Sequence, residues 1–179
     1  MIDKKFSDPK KNIQQFKLRE GMRVADFGSG SGHYSRAAAQ IVGEYGRVYA
    51  IDIQKELLRE VKNFSSREQQ DTIDVLCGDI ETLGGSKLPD ESVDAVILTN
   101  ILFQIEDKET TISEARRVLK SGGSIFFIDW FESFGNIGPH SDVVIDKATA
   151  KNLFEQGGFA LEREFKAGAH HYGLVFKKT

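Results

Sequence analysis

Residues 24–32 read Val-Ala-Asp-Phe-Gly-Ser-Gly-Ser-Gly, and an Ala-rich segment with helical spacing follows at 35–42. This order is typical of a buried strand that passes through three alternating glycines into a helix. Glycines at such a turn let a ligand approach the bare backbone, and the first N–H groups of the helix are free to bind it. The stretch therefore predicts a strand, a ligand-binding loop and a helix in direct succession.

The same alternation of strand and helix continues along the chain. Apolar runs rich in β-branched and aromatic residues are nearly uninterrupted, as expected for strands buried on both faces of a parallel sheet. They lie at 23–27, 47–52, 73–77, 93–98 and 124–128. Segments with helical spacing of apolar residues separate them at 35–42, 55–69 and 108–120, and Gly122-Gly123 is expected to end the last helix.

The C-terminal part departs from this order. A helix over 148–156 is followed by two strand-like stretches, 160–165 and 172–177, with a loop of hairpin length between them. The final strand should therefore run antiparallel to its neighbour. The predicted fold class is α/β: a doubly wound, Rossmann-like sheet of seven mostly parallel strands with one antiparallel strand near the edge.

Composition narrows the class of protein further. The 179 residues carry a net charge of −3 and one cysteine, Cys77, so an internal disulfide or a multi-cysteine metal site is excluded. This charge does not favour nucleic acid as a partner, because its binding rests on basic residues that neutralise phosphates. No apolar stretch could span a bilayer, and the charged residues at 3–5 do not suit a signal peptide. We expect a cytoplasmic protein with a single domain over residues 1–179.

Acidic residues follow two further strands, at Asp52 and Asp79. A carboxylate at Asp52 could accept two hydrogen bonds from a ribose diol, and one at Asp79 could accept from the exocyclic amine of adenine. Both lie on the same predicted rim as the glycine loop, which indicates a nucleoside-type ligand. The loop itself differs from the dinucleotide fingerprint, which has its third glycine at the position of His33, and it lacks the lysine of a P-loop.

These motifs resemble those of the class I S-adenosylmethionine (SAM)-dependent methyltransferases over nearly the whole chain. Residues 26–32 are similar to the family's Asp-x-Gly-x-Gly-x-Gly motif, and 78–80 are similar to its adenine-edge motif. Residues 94–100 resemble the fourth-strand motif, which ends near the transferred methyl group, and 117–123 resemble the turn into strand five. Within the class, the short chain and Asp129-Trp130 resemble small UbiE-like (type 11) methyltransferases.

The resemblance implies SAM as the cofactor and a methyl transfer that requires no metal. Asp52 would bind the ribose, and Ile53 would pack on adenine. The cofactor-binding residues implied in this way are Asp26, Gly28, Ser29, Gly30, Gly32, Asp52, Ile53, Asp79, Ile80 and Asn100.

The methyl acceptor is not defined by the resemblance. The residues after strand four, 99–103, lack the Asn-Pro-Pro-Tyr type of motif found in enzymes that methylate nucleobase amines. Apolar residues at 101–103 and at 130–131 suit a hydrophobic or planar acceptor, or else the packing of a lid on the sheet. We expect a small apolar or thiol/carbon acceptor and release of S-adenosylhomocysteine (SAH).

Two segments outside the sheet are expected to border this site. An N-terminal helix within 1–20 begins at Ser7-Asp8-Pro9, and its apolar residues should dock on the sheet while Phe6 closes over the cofactor. The irregular stretch 130–147 is expected to be a lid loop over the acceptor. Its His140 is the candidate catalytic acid/base, and a histidine on a surface loop is the alternative.

Two other functions stay open. A SAM-binding module without catalysis, acting with a partner subunit, would account for the lack of a substrate domain and of a clear acid/base. A nicotinamide-dependent oxidoreductase would also use a glycine loop, but His33 and the lack of an evident Tyr/Lys pair disfavour it. A homodimer would complete a pocket that the short chain otherwise leaves open.

Overall fold

The computed structural model describes residues 7–68, 70–135 and 137–179, which form one sheet flanked by helices. The strands are β1 (Arg23–Phe27), β2 (Arg47–Asp52), β3 (Ile73–Cys77), β4 (Val93–Thr99), β5 (Leu119–Trp130), β6 (Phe159–Lys166) and β7 (His171–Lys178). The helices are α1 (Pro9–Asn12), α2 (His33–Val42), α3 (Lys55–Arg67), α4 (Lys108–Val118) and α5 (Lys147–Gln156). Within the described residues, no helix has the length and apolar character that a bilayer crossing requires.

The strand order is β3-β2-β1-β4-β5-β7-β6. Strands β1 to β5 pair in parallel, and β7 pairs antiparallel with both β5 and β6. The predicted α/β sheet of seven strands with one antiparallel strand near the edge is confirmed. The strand order reverses between β1 and β4, and open α/β sheets bind ligands at the carboxyl ends of the strands beside such a point.

Both faces of the sheet are buried, because alternate side chains of a strand point to opposite sides. Ala25 of β1 belongs to the apolar cluster that includes α4 and α5, whereas Val24 belongs to the cluster that includes α2 and the N-terminal segment. In the second cluster, the fully buried ring of Phe16 stacks on Phe126 with centroids 4.6 Å apart. This two-sided burial explains why the strands were recognisable as continuous apolar runs.

The predicted helix end at Gly122-Gly123 is wrong. Helix α4 ends at Val118, and the following residues already belong to β5, in which Leu119 pairs with Val93 of β4. The ladder between β4 and β5 is irregular after this pair, so the two glycines lie within a distorted strand. A side chain at Gly123 would approach Leu119 Cδ2 to 2.8 Å, so close packing rather than helix capping accounts for this glycine.

The N-terminal segment is less helical than predicted. Asp8 caps α1 by accepting from the N–H of Lys10, but α1 has only four residues and continues as a short 3₁₀ turn over Ile13–Phe16. Lys17 then adopts a left-handed backbone conformation, with φ of 50°, which ends the turn. Residues 1–6, with the predicted contact of Phe6, lie outside the described residues.

Asn12 ties this segment to the rest of the fold. It is buried, and its Nδ2 donates to the carbonyl oxygen of Ala167 over 2.7 Å. The same Nδ2 lies 3.0 Å from Ser7 Oγ and 3.2 Å from the Tyr34 hydroxyl. The N-terminal segment is thereby fixed both to α2 and to the loop between β6 and β7.

A buried histidine predicts a loss of stability in acid. His171 is 2% exposed, its ring lies 4.1 Å from that of Trp130, and neither ring nitrogen has a hydrogen-bond partner. Burial, assisted by the charge of His170, lowers the pKa of His171 to about 4. His171 is therefore protonated below about pH 6.5 in the unfolded chain but only below about pH 4 in the folded chain. The free energy of unfolding consequently falls as the pH drops from 6.5 towards 4.

Between pH 7.5 and pH 5, the free energy of unfolding should fall by about 2 kcal/mol less in His171→Phe than in the wild type. Urea unfolding at the two pH values measures this difference. The matched control is His140→Gln, because His140 is a surface residue whose side chain is 83% exposed. Equal acid losses in the wild type and in His171→Phe would contradict the assignment.

Candidate functional site

A cleft of about 790 Å³ opens at the carboxyl ends of β1, β2 and β4, next to the point where the strand order reverses. This volume is in the range of small-molecule sites. The glycine loop and the residues that follow β2 and β4 form most of its lining, and the N-terminal segment closes one side. The lining residues are 7–9, 28–31, 33, 34, 52–54, 57, 81, 99–101, 104 and 105.

The glycine loop after β1 presents backbone to this cleft. Gly28 and Gly30 have φ of 69° and 54°, which L side chains rarely adopt. A Cβ at Gly30 would meet no atom within 4 Å, so this part of the loop faces open space. Gly32 does not line the cleft and instead begins α2 as its N-terminal cap. The hydroxyl oxygen of Ser29 is buried and has no hydrogen-bond partner.

Asp52 lines the cleft with an orientation fixed by hydrogen bonds. It is 8% exposed, its Oδ2 accepts from the N–H of Gly30 and its Oδ1 accepts from the N–H of Gln54, both over 2.9 Å. The carboxylate thus joins the glycine loop to the end of β2. The neighbouring Ile53 lines the cleft and is 66% exposed, so it offers an apolar surface beside the carboxylate.

Asp26 is buried below the glycine loop and does not line the cleft. Its Oδ2 accepts a hydrogen bond of 2.6 Å from Ser35 Oγ, which anchors the first turn of α2. Burial raises the pKa of Asp26 to about 6 although the bond from Ser35 opposes the rise, and the charge of Asp52 adds to it. The structure therefore places Asp26 behind the loop, where it can act on a ligand only through the loop.

The residues after β3 are arranged differently from the prediction. Asp79 is exposed and outside the cleft lining, and its carboxylate accepts from the N–H of Glu81 and from Thr82 Oγ1. Ile80 is buried in the core. Glu81 lines the cleft in their place, and its Oε2 accepts from the N–H groups of Glu106 and Asp107, both over 2.8 Å.

A wall of the cleft is built by the residues that follow β4. Asn100 adopts a left-handed conformation with φ of 55°, and its Oδ1 is buried without a partner. Ile101 and Ile105 add apolar surface to the lining. On the opposite side, sequence reasoning missed Ser7 and Tyr34, which line the cleft and whose hydroxyl groups lie 2.9 Å apart.

His140 lies on the surface. Its side chain is 83% exposed, and its Nδ1 lies 2.5 Å from a carboxylate oxygen of Asp142. None of the described residues in 130–147 contributes to the cleft lining. The role of His140 as an acid/base stays a prediction that the cleft geometry does not support. Among the described residues, no group of three His, Cys, Asp or Glu side chains could hold a metal ion.

Residues 25–127 match the family described as a methyltransferase domain, which is more than half of the chain. The chain belongs to this methyltransferase family. This family is that of the class I SAM-dependent methyltransferases, whose co-substrate is SAM. The membership of this family that the sequence motifs predict is confirmed.

The relatives of this methyltransferase differ in their acceptors. It is 33% identical over 120 residues to the arsenite methyltransferase of Mus musculus, covering 64% of this chain and 32% of that protein. It is 31% identical over 118 residues to the ubiquinone/menaquinone biosynthesis C-methyltransferase UbiE of Paraburkholderia phymatum, covering 66% of this chain and 47% of that protein. The chain therefore spans about a third to a half of the length of these curated relatives.

Solved structures of similar size also match this methyltransferase. A SAM-dependent methyltransferase from Aquifex aeolicus superposes with a TM-score of 0.88 at 27% identity, covering 98% of this chain and 92% of that one. A type 11 methyltransferase from Sulfolobus solfataricus, described as putative, superposes with a TM-score of 0.75 at 30% identity, covering 97% and 94%. The whole described fold, including the reversed strand β7, is thus that of the family.

The cleft residues fit SAM in their chemistry. Two buried polar atoms without partners, Ser29 Oγ and Asn100 Oδ1, belong to residues that line the cleft on neighbouring loops. Buried polar groups in proteins are nearly always hydrogen-bonded, so such atoms indicate a polar ligand. The open approach to Gly30 and the carboxylate of Asp52 are also suited to a ligand that carries an amino acid and a ribose.

Proposed function

We propose that this methyltransferase transfers the methyl group of SAM to a small apolar or thiol/carbon acceptor in the cleft and releases SAH. The observation that carries the proposal is the cleft itself, in which the glycine loop, Asp52 and the wall after β4 surround one space. SAM supplies an activated methyl group, so the protein has mainly to align donor and acceptor.

We assign the cofactor contacts by position in the cleft. The backbone of Gly28 and Gly30 and the hydroxyl of Ser29 would hold the methionine end, with Asn100 beside it. Asp52 would accept from the ribose, and Ile53 would pack on the adenine ring. Asp26 and Gly32 would support the loop from behind, and Asp79 and Ile80 would position the loop that carries Glu81.

The titratable groups of the cleft favour an acceptor that is nucleophilic without a general base. Asp52 and Glu81 each accept two backbone N–H groups, and Asp8 caps α1. The hydroxyl of Tyr34 lies within hydrogen-bonding distance of Ser7 and Asn12, and burial raises its pKa. Burial, together with the charge of the neighbouring Arg36, lowers the pKa of His33.

The Nδ1 of His33 lies 2.9 Å from the guanidinium Nη2 of Arg36, which can only donate, so each of these side chains is engaged by the protein itself. A thiolate or an electron-rich carbon needs no strong base, whereas an alcohol or an ammonium group does.

The relatives' printed names suggest either arsenite or a quinone-type carbon as the acceptor, and this chain favours an organic acceptor. Thiolate side chains are the usual protein ligands of soft metal ions. The sequence contains one cysteine, Cys77, which is half-buried at the end of β3, and its Sγ lies 3.8 Å from the carbonyl oxygen of Ile53. The 179 residues therefore supply a single thiolate.

The predicted lid is kept as a proposal. Of the predicted lid, 130–147, Trp130 belongs to β5 and Lys147 to α5. The stretch between them, 131–146, follows β5 at the same edge of the sheet as the cleft, and it carries exposed apolar side chains that a closed form would cover. These are Phe131, Phe134, Ile137 and Val143. His140 would reach the acceptor only in such a closed form, so His140→Gln should lower methyl transfer if the proposal holds.

The test is a calorimetric titration with SAM, SAH and NAD, followed by detection of SAH in the presence of small thiols and quinol-like carbon acceptors. We expect binding of SAM and SAH, no binding of NAD, and SAH production with at least one acceptor class. Binding of SAM and SAH without turnover would favour a non-catalytic module, and failure of both ligands to bind would refute the proposal.

A further inference from the structure

The wall of the cleft after β4 is held by hydrogen bonds from its backbone, and from the residues just beyond it, to two carboxylates. We call residues 101–105, which exclude the proposed cofactor contact Asn100, the cleft wall. At its start, Asp129 Oδ2 accepts from the N–H of Leu102 over 3.2 Å, while Asp129 Oδ1 accepts from the N–H of Trp130 over 2.8 Å. Beyond its end, Glu81 accepts from the next two N–H groups along the chain. Asp129 does not line the cleft and has no part in the cofactor contacts.

The backbone at this point requires such a partner. Asn100 makes the last contact with the sheet by donating to the carbonyl oxygen of Ile128, and the chain then turns into a short 3₁₀ helix over Leu102–Gln104. The first N–H groups of a helix have no partner within the helix. Leu102 is fully buried, so water cannot satisfy its N–H, and an unpaired N–H there would be costly. Asp129 is the group that satisfies it.

The surroundings of Asp129 bring its ionisation close to neutral pH. The side chain is 1% exposed. Burial raises the pKa of Asp129 to about 7, against the opposing effect of the N–H groups that it accepts from and of Lys108 on α4. From β7, Tyr172 faces it with a hydroxyl that donates to the carbonyl oxygen of Ile145, and Asp146 lies next to that tyrosine at the start of α5. His171, also on β7, is neutral near pH 7 because burial lowers its pKa.

We propose that Asp129 is a positioning residue whose carboxylate holds the cleft wall in place and whose protonation releases it, so that the acceptor end of the cleft responds to pH. Both carboxylate oxygens of Asp129 accept from N–H donors. Protonation turns one oxygen into a donor and weakens the other as an acceptor, so these hydrogen bonds weaken. The carboxylate of Asp129 therefore holds the cleft wall in mildly alkaline solution, and the hydrogen bond to Leu102 weakens as the pH falls below neutrality. Only the assignment of this wall to the acceptor rests on the proposed function.

The direct test is amide hydrogen exchange of Leu102 by NMR between pH 8 and pH 6, corrected for the intrinsic rate. We expect its protection in the wild type to fall by about tenfold, the loss of one charge-assisted hydrogen bond, with a midpoint near neutrality. The variant Asp129→Asn, which is uncharged at every pH, should show the low protection throughout. Trp130 is the only tryptophan, so its fluorescence should follow the same titration in the wild type alone.

The matched control is Asp146→Asn, which removes the charge of a helix cap near Tyr172 and should leave Leu102 protection at the wild-type level. Affinity for SAH should change less than twofold in Asp129→Asn, whereas the KM for an acceptor should rise about tenfold with kcat nearly constant.

A wild type without any change in Leu102 protection between pH 8 and pH 6 would overturn the proposal, even if Asp129→Asn failed to fold. Persistence of the pH step in Asp129→Asn would also overturn it. Failure of the wild type to bind SAH would instead refute the proposed function and leave the result on Leu102 standing.

Discussion

Replacing Asp52 with alanine is expected to weaken the binding of SAM and SAH by about 100-fold or more. The carboxylate lines the cleft and is proposed to accept from the ribose, and hydrogen bonds to a charged group are each worth about 1.5–3 kcal/mol. The loss also frees the N–H groups of Gly30 and Gln54, which loosens the glycine loop. Isothermal titration calorimetry measures the change in affinity.

The control for this prediction is Asp74→Ala on the neighbouring strand β3. Asp74 is exposed and forms an ion pair with Arg47, away from the cleft. Its removal should leave the affinity for SAH within twofold of the wild type. Asp52→Asn keeps one oxygen for the loop and should bind more weakly than the wild type but better than Asp52→Ala. Wild-type affinity in Asp52→Ala would disprove the ribose assignment.

Replacing Glu114 with alanine is expected to lower the free energy of unfolding by about 3–5 kcal/mol. Glu114 is fully buried on α4 and accepts from the N–H groups of Gly84 and Ser86 and from the hydroxyl of Ser86. The guanidinium of Arg117 donates to both of its oxygens, over 2.7 and 2.8 Å. The variant would leave these donors unsatisfied and Arg117 without its buried partner. Urea unfolding at pH 7 measures the loss.

The same cluster predicts a response to acid. Burial alone would raise the pKa of Glu114, but the bonds from Arg117, Ser86 and Gly84 together hold it at about 2. This contribution to stability is complete above the unfolded value of 4.5 and is lost as the pH falls towards 2. Glu109→Ala, an exposed position on the same helix, is the control and should change stability by less than about 0.5 kcal/mol. An equal effect of the two variants would contradict the assignment.

Much of the fold could be predicted because parallel strands buried on both faces require apolar side chains at nearly every position. The bounds of β1, β2 and β3 match the predicted runs. The glycines at 122–123 were assigned wrongly because glycine is common both after helices and within distorted strands. Which of the two applies depends on the pairing of Leu119 with Val93, a tertiary contact that local sequence does not contain.

The site was predictable to the extent that it depends on local geometry. The glycine loop and Asp52 line the cleft because each directly follows a strand that ends at the same edge of the sheet. Glu81, Tyr34 and Ser7 were missed because their presence depends on how a loop, a helix and the N-terminal segment pack together. The only signal for Glu81 was its position two residues after Asp79.

The place of β7 in the sheet has a consequence for synthesis of the protein. This strand lies between β5 and β6 although it follows both in the sequence. On the ribosome, β6 therefore emerges without a partner, and β5 presents an open edge that is almost wholly apolar from Ile125 to Ile128. Such an edge can pair with another nascent chain. Pairing of β7 covers the edges of both β5 and β6, so these two strands stay open to such pairing until β7 has emerged.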